Sequence, residues 1–163
     1  MKKLVLASVI LAILSGCATT GTINIQKGME KELQAIEVVK ISQFECQDEA
    51  VAQAVRNSII ETLLPLGIKV VRDGEADAVF EGTITFSEDI VSSEGAVVSE
   101  ESGSAYGSGT AGRYVSGITV QVVKGNEILA VSTVTQVRTA LWIPDPAEVM
   151  GRKVGKKIAQ ILK

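Results

Sequence analysis

The chain has 163 residues, with 16 basic and 19 acidic side chains, 46% hydrophobic and 4% aromatic residues, and no histidine. The apolar content suffices for one core and excludes wholesale disorder, and the length fits a single domain. Without imidazole the chain cannot run Ser-His-Asp or Cys-His catalysis or offer histidine to zinc, and the few aromatics argue against stacking platforms for nucleic acid.

Lys2 and Lys3 precede an eleven-residue apolar run, Leu4 to Leu14, interrupted only by Ser8. That is too short to span a bilayer and has the form of a signal-peptide core. It ends in Leu14-Ser15-Gly16-Cys17, which resembles the bacterial lipobox. The resemblance implies removal of residues 1–16, leaving 147, with diacylglycerol and palmitate chains on Cys17. Stable attachment needs more than one acyl chain, at ~0.8 kcal/mol per buried methylene. In Gram-negative lipoproteins an Asp after the acylated Cys commonly retains the protein in the inner membrane. Ala18 stands there instead, so the expected place is the outer membrane, with the domain facing the periplasm. An acylated Cys17 leaves Cys46 unpaired, and its acidic neighbours Glu45, Asp48 and Glu49 point to a buried, inert thiol at the end of the first strand.

Residues 17–35 read as a lipidated tether, and 36–163 as one α/β domain. Ile36 to Glu45 has the β-branched content of a strand. Asp48 suits the N-cap of a helix with Val51, Ala52, Val55, Ile59, Ile60 and Leu63 on one side; Gln53, Asn57, Ser58 and Glu61 lie opposite. Pro65 and Gly67 end it. Ile68 to Val71 is a short strand. Ala78 to Ser87 is the next, with Phe80, Gly82, Ile84 and Phe86 on one face and Glu81, Thr83, Thr85 and Ser87 on the wet one. Tyr114 to Val123 and Ile128 to Val137 form a hairpin about Gly125-Asn126. Asp145-Pro146-Ala147-Glu148 opens the last helix, with Asp145 as N-cap. That helix carries Met150, Val154, Ile158 and Ile161 on one face, and Gly151 and Gly155 are expected to bring it close to a sheet.

The order β-α-β-β-β-β-α predicts an α+β sandwich, a mostly antiparallel sheet with two helices on one face and an insertion at about 92–113. An opening strand ending in Phe44, then Leu-Pro-Leu-Gly-Ile, Val-Val-Arg and Glu-Ala-Asp-Ala-Val-Phe-Glu-Gly-Thr-Ile resemble the envelope module shared by CsgG, LpoB and the N-terminal domain of TolB. The match covers roughly residues 36 to 162 as topology, chiefly through Ala76-Asp77 and Gly82. It lacks the long amphipathic membrane hairpins of CsgG, which speaks against a pore.

Residues 107–112 fit GxGxxG, but a strand rather than a helix is expected to follow, so a flexible or partner-binding loop is the better reading. Asp73, Glu75 and Asp77 lack the twelfth-position glutamate of a calcium loop, Ile84 standing there, and Asp77 is expected to fix its turn by accepting from backbone amides. After loss of Lys2 and Lys3 the net charge is about −5, yet residues 149–163 hold five basic and no acidic groups. Arg152, Lys153, Lys156 and Lys157, with Tyr106 and Tyr114, are therefore candidate partner contacts. The competing reading of the lysines is a solvated face that complements the helix dipole.

No catalytic residue, metal or soluble cofactor is expected, and no nucleic acid. The expected function is a non-catalytic envelope lipoprotein that binds another envelope protein as cofactor or assembly factor. The alternatives are a lipoprotein that binds a small ligand or peptidoglycan fragment, and a His-independent hydrolase.

Overall fold

The computed structural model describes residues 19–89, 112–137 and 145–162. The elements are β1 (Thr19–Ile25), α1 (Glu30–Gln34), β2 (Val38–Ile41), α2 (Glu49–Leu63), a 3-10 turn (Leu64–Leu66), β3 (Lys69–Val71), β4 (Ala78–Asp89), β5 (Gly112–Lys124), β6 (Glu127–Gln136) and α3 (Ala147–Ile161). The fold is α+β, with one six-stranded sheet in the order β1-β6-β5-β4-β2-β3. β1-β6, β6-β5 and β5-β4 are antiparallel, whereas β2 runs parallel to both β3 and β4.

Period-two alternation sets what each strand buries. Ile84, Ile118 and Val134 form one inward row, and Phe80, Val122 and Ala130 another. In β5 both Val115 and Ile118 face inward, although they differ in parity; the register shift at Thr85/Phe86 leaves Ser116 as the extra residue that resets the alternation. The helices close this face with Val55, Ile59 and Leu63 from α2 and Met150, Val154 and Ile158 from α3, all fully buried.

Asp48 caps α2 as the sequence suggests, its carboxylate accepting from the amides of Ala50 (3.0 Å) and Val51 (3.2 Å). At the other end Gly67 takes φ 80°, and its N–H donates to Leu64 O. The β5-β6 hairpin turns at Gly125, φ 62°.

Several expectations need correction. The segment read as a tether contains β1 and α1. Thr19, Gly21 and Ile23 of β1 are half-buried against β6 while Ile25 at the strand's end is exposed, so seven residues of supposed linker form an edge strand. The first strand of the 36–45 region is only Val38–Ile41; after it the chain runs beside β4 through Ser42 N–H to Phe80 O and Glu45 N–H to Gly82 O. Gly151 and Gly155 face α2 rather than the sheet. A Cβ at Gly151 would stand 2.9 Å from Val55 O and 3.0 Å from Ser58 Cβ, and one at Gly155 2.9 Å from Thr62 Cβ. This helix contact also buries Ser58, which the amphipathic reading had placed outside. The N-cap of α3 is Pro146, without a side-chain cap, because the Asp145 carboxylate is engaged elsewhere. Cys46 is half-buried rather than buried, packed against the core with Sγ accepting from Asp48 N–H at 3.5 Å.

Candidate functional sites on the sheet and the last helix

Among the described residues nothing covers the sheet face away from the helices. Thr83, Thr119, Thr133 and Thr22 lie side by side on four adjacent strands, and Thr135 and Thr20 form part of the next row. The Thr119 and Thr133 hydroxyls lie 3.2 Å apart and those of Thr20 and Thr135 3.0 Å apart, so the β-branched side chains are held in a regular array. Beside the array is a shallow polar depression of about 430 Å³ bordered by Ser42, Glu45, Glu81, Thr83, Thr119 and Gln121. Ser42, Gln43 and Glu45, on the segment that runs beside β4, form its wall.

A second site lies between α3 and β1. Lys153, Lys156, Lys157 and Gln160 line one side of a groove of about 350 Å³; Thr19, Thr20, Gly21 and Val134 line the other. Lys157 lays its aliphatic stem over β1, since a Cβ at Gly21 would stand 3.3 Å from Lys157 Cε. Lys153 donates to the Asp145 carboxylate, which also accepts from Thr19 Oγ1 at 3.1 Å. The end of the groove is fixed by Gln136, an inward-facing side chain only 2% exposed. Its Nε2 donates to Val115 O (2.6 Å) and Asp145 O (3.0 Å), while Asp145 N–H donates to its Oε1 (2.8 Å). One amide thus ties β5, β6 and the entry to α3, and Asp145 passes that tie to β1. Gln136 was not singled out from the sequence. Its signal is a glutamine at the inward parity of Ala130, Ser132 and Val134, where an apolar residue is expected.

Among the predicted site residues, the structure brings Lys153, Lys156 and Lys157 together. Arg152 is exposed on the same helix but does not border the groove. Tyr114 is on β5 opposite Ser87 and does not border the groove. Leu14, Ser15, Gly16, Cys17 and Tyr106 lie outside the described residues, as does most of the GxGxxG stretch; Gly112, its last residue, opens strand β5. Asp77 accepts from backbone amides as expected, but from Glu37 (3.0 Å) and Val38 (2.8 Å) at the start of β2 rather than within its own turn. The Val38 and Glu37 amides hold its carboxyl below the usual aspartate value. Among the described residues no group of three or more Cys, Asp or Glu could hold a metal ion, and no helix is long and apolar enough to cross a membrane.

Neither a family model nor a curated protein matches the chain. Solved structures do. A single-substitution variant of the PelC dodecamer from Paraburkholderia phytofirmans aligns with TM-score 0.53 and 15% identity over 88% of this chain and 96% of that one. In fold the chain is similar to PelC. A second PelC dodecamer from the same organism aligns with TM-score 0.52 and 12% identity over 88% and 97% of the two chains. A PDZ domain protein from Parabacteroides distasonis aligns with TM-score 0.47 and 9% identity, over 84% of this chain and 33% of that one.

Proposed function

We propose that the protein is a non-catalytic outer-membrane lipoprotein, anchored through Cys17, whose domain binds another envelope protein from the periplasmic side. The observation that carries this reading is the sheet face that no described element covers. A covered face needs no partner, whereas four adjacent strands here present a threonine array from Thr22 to Thr83 with shallow relief. Threonines are stiff at χ1, so an array of them loses little side-chain entropy when another protein covers it. The anchor supports the same reading. Only Ala18 separates Cys17 from Thr19, the first residue of β1, so acylation at Cys17 would stand the domain directly on its membrane. The proposed kinship with the CsgG, LpoB and TolB module agrees with an envelope binding role. PelC of the same fold forms dodecamers, which makes a second copy of this chain the first partner to test.

The test is site-directed photocrosslinking in cells. A photoreactive residue at Thr22, Thr83 or Thr135 should yield discrete adducts, and one at the exposed α2 residue Glu61 should not. Adducts from Glu61 alone, or none from the sheet face, would refute the reading. A second reading rests on the polar depression beside Glu45 and Glu81, whose hydroxyls, amides and carboxylates match a hydroxyl- and amide-rich ligand such as a peptidoglycan fragment. It predicts that muropeptides bind and that Gln121→Ala abolishes their binding.

A further inference from the structure

The lysine groove is not explained by the fold. Of its three ammonium groups only Lys153 has an internal counterion, Asp145. Lys156 and Lys157 have no carboxylate partner among the described residues. Nor does the helix dipole account for them, because its influence is confined to the last turn and the last turn of α3 contains no basic residue. Like charges at adjacent positions repel, and an anion between them and β1 would relieve that repulsion.

Position selects the anion. The groove is bordered by Thr19, Thr20 and Gly21. No more than about 7 Å of extended chain can separate the Cα of Thr19 from that of Cys17 two residues earlier. An acyl anchor on Cys17 therefore brings the groove to the headgroup layer. The mature chain carries a net charge of about −5, so the bulk of the protein repels an anionic surface while Lys156 and Lys157 of the groove meet it with the opposite sign. The groove also mixes apolar and cationic lining: Val134 and the Lys157 stem lie against Gly21, and Lys156 and Gln160 border the same space.

From this placement we propose that the groove between α3 and β1 seats on the bilayer that holds the anchor and takes the phosphate of an anionic lipid headgroup between Lys156 and Lys157. The proposal rests on the lipoprotein reading. It orients the domain: α3 and the start of β1 lie against the membrane, and the charge contact restricts rotation about the anchor.

The test uses the mature chain carrying Cys17→Ser, so that acyl chains do not mask the contact, and co-sedimentation with phosphatidylcholine vesicles with and without phosphatidylglycerol. A lysine near an anionic surface contributes about fivefold in binding, so K156Q/K157Q should weaken binding to the anionic vesicles by on the order of 30-fold. R152Q, which alters the same helix outside the groove, should change it far less. Equal binding by wild type and K156Q/K157Q would overturn the proposal, and so would a loss in R152Q as large as for one groove lysine. Displacement by inorganic phosphate at constant ionic strength would reassign the groove to a soluble anion. The melting midpoint of K156Q/K157Q serves as the folding control and should match wild type. Mass spectrometry of the native N-terminus tests anchoring separately. An unacylated Cys17 with lysine-dependent vesicle binding would sink the anchor and leave the groove standing; an acylated Cys17 without such binding would do the reverse.

Discussion

Gly151→Ala is the sharpest test of how the two long helices meet. Alanine in a helix interior is better than glycine by about 1 kcal/mol, so on propensity alone the variant should gain stability. The structure predicts the opposite. The new Cβ would stand 2.9 Å from Val55 O, 3.1 Å from Val55 Cα and 3.0 Å from Ser58 Cβ. All three atoms belong to, or are fixed by, the α2 backbone, so no side-chain rotation relieves the contact. The helices must separate by about half an ångström to restore ordinary spacing, which loosens the layer formed by Val55, Ile59, Met150 and Val154. Overpacking of this kind costs about 1–3 kcal/mol, and an immovable backbone contact belongs at the upper end. Offset by the propensity gain, the net loss is about 2 kcal/mol, which for a domain of this size lowers the melting midpoint by about 7 °C. Thermal melts of the mature chain carrying Cys17→Ser, followed by circular dichroism, measure it. A midpoint unchanged or raised would mean that α3 does not approach α2 through Gly151.

Gly82→Ala should cost about 1–3 kcal/mol, because its Cβ would lie 2.8 Å from three ring carbons of Phe44; in a Phe44→Leu background the same change should cost clearly less, which a double-mutant cycle on urea midpoints reads directly. Gln136→Leu leaves Val115 O, Asp145 O and Asp145 N–H without their partner and should destabilise by on the order of 3 kcal/mol, with faster amide exchange in β1 as its signature. Asp77 has its carboxyl held low by the Val38 and Glu37 amides, so its contribution is complete above the unfolded value near pH 4 and is lost as pH falls through the lower folded value. Asp77→Asn should therefore melt below wild type at neutral pH, with the gap closing in acid; a gap independent of pH would refute this account of the β2 start.

The parts of the fold legible in the sequence are those where local chemistry and periodicity coincide. Asp48 and Gly67 bracket α2 because capping and left-handed geometry depend on one residue each. The alternation Phe80-Gly82-Ile84 and the Gly125 turn fix β4 and the hairpin in the same local way. The misplaced features depend on contacts distant in sequence. β1 pairs with β6 more than a hundred residues away, and of its half-buried set Thr19, Gly21 and Ile23 only the isoleucine carries an apolar signal. Ser58 is inward only because Gly151 gives it room, and Asp145 is diverted from capping by Lys153 and Thr19. Of the candidate site, the lysines were visible as composition. Their groove was not, because its other wall is the strand that the sequence presented as linker.

The central claim is that the domain stands on an acylated Cys17. Mass spectrometry of the protein extracted from membranes, with Cys17→Ser fractionated in parallel, tests it most directly. The account predicts a mature N-terminus at Cys17 bearing acyl chains, and a variant that persists as unprocessed precursor because serine lacks the thiol that is modified. A wild-type N-terminus free of lipid, or a variant with unchanged size and membrane association, would contradict it.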